Sequence, residues 1–474
     1  MLDGDDTEPT RNDVAIVGGG FTGAMLAIRL ASAATGALRV VIFEPRKTFG
    51  AGVAYSTPDP DHRLNGPIDL VKMLGEGHFQ SWYRAHVHDP DDTAPDGFRY
   101  GRRATIGDYM NAVFSDACQR YRGTLRHVAR EVTDIAPEES GYVLRDGAGR
   151  TYQATRVFLC IGHEPPTMSA PFDRLPASSR IVRDPWDTRA LAAVPVTGDT
   201  LVIGSGLTAY DVIATLLRQG HEGKIVAVSR NGRRPQPQGE LARLKPDFVP
   251  PLAPFAKRHP PPYTAMRLLQ YCRQDLEELS QRGLEWHGAL DNLRFALSDI
   301  WCGLPTAEKK RAIRHLASLY ESHRFRVAPQ TATIVERGEA AGAVRFVRGR
   351  AEDVTLDNRG YRATFRSARN GRFGVGFENL VNCTGPNTRV TKSANSLVRN
   401  LLDRGLARPH PTGMGFDVDD LGRSVTAAGR PLRNLTILGP LTNGHFADMI
   451  AMPQIDAKIR QILPELERET VALR

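Results

Sequence analysis

Two glycine-rich turns, VGGGFTG at residues 17–23 and IGSGLTA at residues 203–209, each follow an apolar run and open a helical pattern. That repeat restricts the fold more than any other feature of the chain. The first turn reads Gly18-x-Gly20-x-x-Gly23 after the run Val14, Ala15, Ile16, Val17, and Glu44 closes the next apolar run at 40–43. In a strand–turn–helix–strand unit of this kind, the first glycine permits the tight turn and the second lets backbone amides approach a pyrophosphate. The third lets helix pack on strand, and the acid accepts the ribose hydroxyls of an adenosine. The pyrophosphate charge then lies at a helix N-terminus, where unpaired amides and the helix dipole favour it.

The second turn reads Gly204-x-Gly206-x-x-Ala209, but its following strand, 224–228, ends in Ser229 and Arg230 where an acid would stand. A carboxylate there would repel a 2′-phosphate. Ser229 can instead donate a hydrogen bond, and Arg230, with Arg233 and Arg234 close by, can pair with the phosphate. The pattern predicts NADPH as the nicotinamide partner, with NADH as the alternative, and the chain as an α/β protein with two Rossmann-like dinucleotide-binding domains.

A length of 474 residues with 41% hydrophobic content allows two or three domains with their own cores. Five cysteines, Cys118, Cys160, Cys272, Cys302 and Cys383, are widely spaced and form no CxxC pair. This pattern predicts neither a disulfide framework nor a metal site, and it argues against a dithiol reductase. The acidic, polar first residues predict a loose tail, and no apolar run approaches the ~20 residues of a membrane span, so a cytoplasmic protein without membrane contact is expected. The net charge of +9 comes from dispersed arginines without an aromatic-interleaved stripe. It points to anionic small molecules and away from nucleic acid.

Strands are expected at 156–161, 332–335, 342–347, 362–365, 380–385 and 435–440, and helices over 266–279, 290–319 and after Met452. Prolines between 235 and 262 separate the second nucleotide unit from this helical stretch. Two strand ends look alike: Cys160-Ile161-Gly162 and Cys383-Thr384-Gly385.

The chain resembles a family of FAD/NAD(P)-binding proteins that carries a GxGxAYST...HxLN segment, a GHxPP strand end, a DPWD box and a GLTxxD turn. These stand here at residues 50–57 and 62–65, 162–166, 184–187 and 206–211. The family is similar to the two-dinucleotide flavin monooxygenases, which include amine N-hydroxylases and Baeyer–Villiger enzymes. The resemblance implies FAD on the first fold and NADPH on the second, with the NADPH domain inserted into the FAD domain. The implied boundaries are a tail at 1–12 and a first part of the FAD domain at 13–165. The NAD(P)H domain follows at 196–375 with a helical insert at 240–330, and the FAD domain ends with 376–474.

Cofactor contacts are expected from Gly18, Gly20, Gly23, Glu44, Gly50, Asn65, Gly162, Gly385 and Gly439 for FAD, and from Gly204, Gly206, Ser229 and Arg230 for the nicotinamide nucleotide. Asn65 can offer its amide to a flavin edge and Lys72 can hold an acidic substrate group. His163 and His445 follow strand ends, where a group titrating near neutrality can move a proton. Many relatives carry an acid and a Val-Pro pair near the last helix, where this chain has Gly444, His445, Phe446, Asp448 and Met452-Pro453.

The expected reaction is a monooxygenation: NADPH reduces FAD, dioxygen reacts with the reduced flavin, and one oxygen atom passes to an electron-rich substrate. Within the family it resembles, the length, the Pro-rich insert and the expected cytoplasmic character suggest a flavoprotein urate hydroxylase, converting urate to 5-hydroxyisourate in purine breakdown. The alternative is N-hydroxylation of an amino acid or polyamine, with Asp69 and Glu76 as pocket carboxylates. A different class is a non-catalytic flavin- and nucleotide-binding module.

Overall fold

The structure, a computed structural model, describes residues 11–33, 38–121, 123–239, 250–357, 360–369 and 371–472. The chain divides into two compact units, one made of 1–56, 104–164 and 387–474, the other of 57–103 and 165–386. Most of the expected tail, 1–10, lies outside the described residues, as do 240–249 of the expected insert; Asn12 already begins the first strand.

The first unit contains β1 (Asn12–Val17), β2 (Val40–Phe43), β3 (Leu125–Val128), β4 (Val132–Glu138), β5 (Gly141–Asp146), β6 (Thr151–Leu159), β15 (Arg423–Val425) and β16 (Pro431–Ile437). Its main path runs β15-β16-β6-β1-β2-β3, with β4 and β5 as an antiparallel extension of β6. β1 pairs in parallel with both β2 and β6. Such central strands are covered on both faces, which is why β1 and β2 read as unbroken apolar runs. Helices Phe21–Ala33, Ala104–Arg120 and Met452–Ala472 belong to this unit.

The second unit contains β7 (Ile181–Val182), β8 (Thr200–Ile203), β9 (Ile225–Ser229), β10 (Val344–Arg348) and β14 (Asn379–Asn382) in the parallel order β10-β9-β8-β14-β7. A separate antiparallel sheet is formed by β11 (Arg350–Asp357), β12 (Gly360–Ser367) and β13 (Gly371–Phe377). Phe365, Val375 and Phe377 of that sheet share one apolar cluster with Leu201, Val226 and Leu380 of the parallel sheet. Between β9 and β10 lies helical structure that includes Ala265–Gln281, His287–Cys302, Thr306–His315, Ala317–Arg324 and Pro329–Ala340.

Three expectations change. Residues 332–335 are helical, not a strand: their β-branched run Thr333-Ile334-Val335 imitates one, but Pro329 stands in the first turn and Thr331, Val335 and Gly338 are buried at helical spacing. The strand ending near Gly385 pairs with β8 and β7, so it belongs to the second sheet, and the first unit resumes at 387 instead of 376. Residues 57–103, expected within the first domain, cluster with the second unit. Asp59 and Asp61 pair with Arg218 at 2.6 Å, and Arg103 pairs with Asp211 at 2.7 Å. Gln330 also donates to the Asp91 and Asp92 carbonyls, and Thr331 to that of Asp61. Such ties between distant residues leave no trace in local periodicity.

Candidate nucleotide-binding sites

In the first unit β1 stops at Val17 because Gly18 takes φ +101°, a left-handed backbone open to glycine; a Cβ there would lie 2.5 Å from the Cys160 carbonyl oxygen. A Cβ on Gly23 would lie 1.8 Å from the Gly18 carbonyl, and one on Gly20 would meet Gly52 at 3.4 Å. Gly18 and Gly23 therefore admit no side chain, while Gly20 is in ordinary contact with Gly52. Gly19, which the spacing rule leaves unspecified, is equally constrained: a Cβ would fall 2.6 Å from that of Glu44, and its N–H donates to Glu44 Oε2 at 2.8 Å. The Gly50 N–H donates to the Gly19 carbonyl at 2.8 Å, bringing the 50–52 segment beside the turn. Gly439, after β16, packs against Thr22. The helix Phe21–Ala33 has no acidic residue in its first turn, so the positive end of its dipole is left for an anion.

Glu44 is buried, and each carboxylate oxygen accepts two hydrogen bonds. Oε1 takes the Arg46 backbone N–H at 3.1 Å and Nε at 2.8 Å; Oε2 takes the Gly19 N–H at 2.8 Å and Arg46 Nη2 at 3.1 Å. Burial pushes its pKa up, but the Arg46 fork and the two backbone donors outweigh burial and hold the carboxyl below its usual range. Arg46 Nη1 also donates to the Gly52 carbonyl at 3.0 Å.

His163 follows Gly162 at the β6 exit. Its Nδ1 is buried with no hydrogen-bond partner among the described residues, and burial lowers its pKa to about 4, so the ring is neutral at pH 7. The expected role as a group titrating near neutrality is therefore corrected: desolvation removes the imidazolium. His445 sits in the short helix Asn443–Phe446, with Nε2 at 3.0 Å from Asp420 and its ring 4.6 Å from that of Phe446. His410, Asp417 and His445 bring potential ligand atoms within 4.8 Å of one another. The group is nevertheless committed within the protein: the Thr412 N–H donates to His410 Nδ1 at 3.2 Å, and Arg408 holds Asp417 at 2.7 Å.

In the second unit the same construction recurs. Gly204 takes φ +127°, and a Cβ there would lie 2.2 Å from the Cys383 carbonyl oxygen, as Gly18 stands to Cys160. The alike strand ends thus have one cause: each cysteine closes the strand beside a dinucleotide turn, its N–H bound to the last residue of the neighbouring strand, Val17 or Ile203, at 2.8 Å. Burial raises both thiol pKa values far above the usual range, with Asp211 adding to the effect at Cys383, so both are small core residues and not redox groups. A Cβ on Gly206 would meet nothing within 4 Å, which leaves open space beside the N-terminus of the helix Leu207–Arg218.

Beyond β9, Arg230 and Arg233 are exposed, and Arg230 has no partner among the described residues. Two neighbours differ from expectation. The Ser229 hydroxyl is turned into the protein, 2.6 Å from that of Ser205 and accepting the Gly232 N–H at 3.1 Å. Arg234 is spent on structure: its fork meets Glu339 at 2.6 and 3.1 Å, Nε donates to the Tyr210 hydroxyl at 2.8 Å, and the guanidinium lies 4.0 Å from the centre of the Phe346 ring.

Three sequence motifs meet at a residue that none of them contains. Arg103 sends Nη1 to Asp211 Oδ2 at 2.7 Å and Nη2 to Asp211 Oδ1 at 3.2 Å. Nη2 also reaches Asn65 Oδ1 at 3.2 Å, and the guanidinium lies over the Trp186 ring at 5.8 Å. Arg103 thus fixes the carbonyl side of the half-buried Asn65 amide, which assigns its other side as the NH2 donor. His62 bridges Thr57 at 2.7 Å and Thr215 at 3.1 Å in the same network. Lys72 does not join it. Its side chain is 71% exposed and pairs with the still more exposed Glu76, at 87%, and Asp69 is exposed as well. Gly162 and Gly385 both take positive φ at the ends of β6 and β14, with open space around a built Cβ.

Among the described residues no helix is long and apolar enough to cross a membrane. Residues 15–164 match the model of a family described as FAD-NAD(P)-binding. No curated protein matches the chain in sequence. Among solved structures the chain is similar to an ornithine N-hydroxylase from Kutzneria sp. 744, determined with reduced FAD, NADP+ and L-ornithine, at 15% identity and TM-score 0.63, covering 97% of this chain and 100% of that one. It is also similar to L-lysine 6-monooxygenase from Pseudomonas syringae, at 16% identity, TM-score 0.62 and coverage of 97% and 99%. A third similar structure is the FAD-bound cadaverine monooxygenase from Erwinia amylovora, at 15% identity, TM-score 0.61 and coverage of 96% and 94%. At such identities the likeness is one of fold: two dinucleotide-binding folds in one chain, the arrangement of two-dinucleotide flavoproteins.

Proposed function

We propose that this chain is a flavin-dependent monooxygenase that hydroxylates the primary amine of a small amino acid or diamine at the expense of NADPH and dioxygen. The observation that carries this reading is that the likeness to hydroxylases of ornithine, lysine and cadaverine runs almost end to end, through both glycine turns. Urate, expected on length and the Pro-rich insert, loses its first argument, because amine hydroxylases of matching extent share the fold. An anionic substrate is likewise unnecessary, since cadaverine carries no acid group.

The residues present fit both cofactors. Gly18, Gly19, Gly20 and Gly23 leave a backbone-lined turn at a helix N-terminus, Glu44 supplies the ribose acceptor, and Gly50 and Gly439 flank the turn; these would hold FAD. Gly204, Gly206 and the exposed Arg230 and Arg233 would hold NADPH, the arginines acting on the 2′-phosphate. Bound FAD, reduced by NADPH, supplies the oxygen-activating chemistry. The overall balance is R–NH2 + O2 + NADPH + H+ giving R–NHOH + H2O + NADP+.

The protein's own contribution is to bind, orient and keep out water. His163, neutral at pH 7, can donate or accept a hydrogen bond at the β6 exit without introducing a charge. Asn65, its carbonyl held by Arg103, presents an oriented amide donor. Only the unprotonated amine has the lone pair to attack an electrophilic oxygen, and a free ammonium has a pKa of about 10.4, so turnover rises with pH through neutrality.

The test uses purified protein with its flavin content measured from the visible spectrum. NADPH oxidation and peroxide are followed with ornithine, lysine, cadaverine and urate in turn. An amine should accelerate NADPH loss and yield its hydroxylamine with little peroxide. Acceleration by urate alone, or by none of the four with only peroxide formed, refutes the amine reading. Absence of flavin and of any NADPH turnover leaves the non-catalytic nucleotide-binding alternative standing in its place.

A further inference from the structure

We infer that Arg46 is a latch on the first dinucleotide site, competing with the adenosine ribose for Glu44, so that loading the site requires the Arg46 fork to leave. The inference rests on the assignment of Glu44 as the ribose acceptor and adds the residue that controls access to it.

A carboxylate offers about four lone-pair positions. In Glu44 all four are filled: two on Oε1 by the Arg46 backbone N–H and Nε, and two on Oε2 by the Gly19 N–H and Arg46 Nη2. A ribose diol that donates to both oxygens needs two of those positions. The backbone donors cannot yield them, because the Gly19 amide is built into the turn and the Arg46 amide into the chain after β2. The guanidinium can. Its side chain is 44% exposed against 4% for Glu44, so it has solvent to enter while the carboxylate is fixed.

The fork also spans the site. Nη1 reaches the Gly52 carbonyl at 3.0 Å, and Gly52 stands opposite Gly20, where a Cβ would approach it to 3.4 Å. One side chain therefore ties the β2 end to the 50–52 segment across the glycine turn. It also pairs a buried carboxylate, which would be costly to leave unpaired. Entry of the ribose exchanges one set of charge-assisted hydrogen bonds to Glu44 for another, and the guanidinium regains water.

The competition is read by comparing ligands that do and do not ask for Glu44. Full-length protein is stripped of flavin and saturated with NADP+ to fill the second site. It is then titrated calorimetrically with ADP and with 2′,3′-dideoxy-ADP. The ratio of the two dissociation constants cancels the general attraction of Arg46 for phosphate, because both ligands carry the same phosphates. In Arg46→Ala the preference for ADP over the dideoxy compound should rise about tenfold, and Arg46→Lys, which cannot fork, should fall between it and the native protein. A preference unchanged or reduced in Arg46→Ala overturns the latch, a reduction meaning that Arg46 contacts the adenosine itself. Glu44→Gln separates the two levels of the argument: the native protein should prefer ADP and this variant should not. If the native protein shows no such preference, the assignment of Glu44 fails and the latch with it. If Glu44→Gln abolishes the preference while Arg46→Ala leaves it at the native value, the latch alone fails. Flavin uptake by each variant, followed through fluorescence quenching, establishes that the site is still folded.

Discussion

Replacing Asp211 by Asn tests whether the Arg103 network organises the second unit. Arg103 and Asp211 form a two-pronged pair of 2.7 and 3.2 Å with side chains 9% and 6% exposed, so neither charge has much water to fall back on. Asn keeps the shape but removes the charge, leaving a buried guanidinium with a neutral partner. Breaking one side of such a pair costs about 3–5 kcal/mol. At roughly 2–4 °C per kcal/mol for a unit of this size, the melting temperature should fall by about 6–20 °C. The double replacement Arg103→Met with Asp211→Leu removes both charges and should recover most of that loss, since an apolar pair of similar volume avoids the desolvation altogether. The readout is built in: Trp82, Trp186, Trp286 and Trp301, the four tryptophans of the chain, all lie in the second unit, so urea unfolding followed by tryptophan fluorescence reports that unit. High salt should change the result little, because buried pairs are poorly screened. A loss below about 1 kcal/mol in Asp211→Asn, or a double variant weaker than the single one, would refute the account.

Arg230→Ala should weaken NADPH binding about tenfold and NADH binding less than about twofold, measured by fluorescence titration; equal losses would remove the 2′-phosphate argument. Gly204→Ala places a methyl 2.2 Å from the Cys383 carbonyl at φ +127° and should abolish NADPH reduction of the flavin while the protein stays yellow; normal reduction would contradict the cradle. His163, with a folded pKa of about 4 against the ordinary 6.5, binds its proton less readily folded than unfolded. Its contribution is therefore fully present above the unfolded value and is lost as pH falls from about 6.5 toward about 4, close to 2 kcal/mol of it by roughly pH 5. His163→Asn should flatten that part of the stability profile, and an unchanged slope between roughly pH 7.5 and pH 5 would show that His163 is not the group responsible.

What the sequence made legible was whatever is local. The two glycine turns, their preceding strands and Glu44 are consecutive or fixed in spacing, and the structure places them as the spacing requires. The helix at 329–340 was misread because the β-branched run 333–335 mimics a strand, while the decisive signals, Pro329 in the first turn and burial at 331, 335 and 338, emerge only with the helix phase in hand. The neighbours of Ser229 and Arg234 are hidden for the opposite reason. Both residue types suit a phosphate, but Ser205 donates to Ser229, and Tyr210, Glu339 and Phe346 engage Arg234, partners that no local pattern announces. Lys72 fell to the same blindness, since nothing in its neighbours announces that the turn carrying it faces solvent.

Arg103 is the residue that local reasoning had no means to find. It lies in no motif, yet Asn65 from one, Trp186 from a second and Asp211 from a third converge on its guanidinium. An arginine serves this place because its planar fork can meet both oxygens of one carboxylate, reach a side-chain amide and stack on an aromatic face at once; a lysine offers a point charge without the plane. This explains why residues 57–103, which follow the first glycine turn in sequence, fold with the second. The segment brings His62, Asn65 and Arg103 to the helix Leu207–Arg218, and that helix answers with Asp211, Thr215 and Arg218, one turn apart along the face it presents to them. Asn65 is thereby positioned by the second unit and not by the first, whose glycine turn precedes it in the chain. A change on the 207–218 helix should therefore alter the orientation of the Asn65 amide before it alters anything held by Gly18, Gly20 and Glu44.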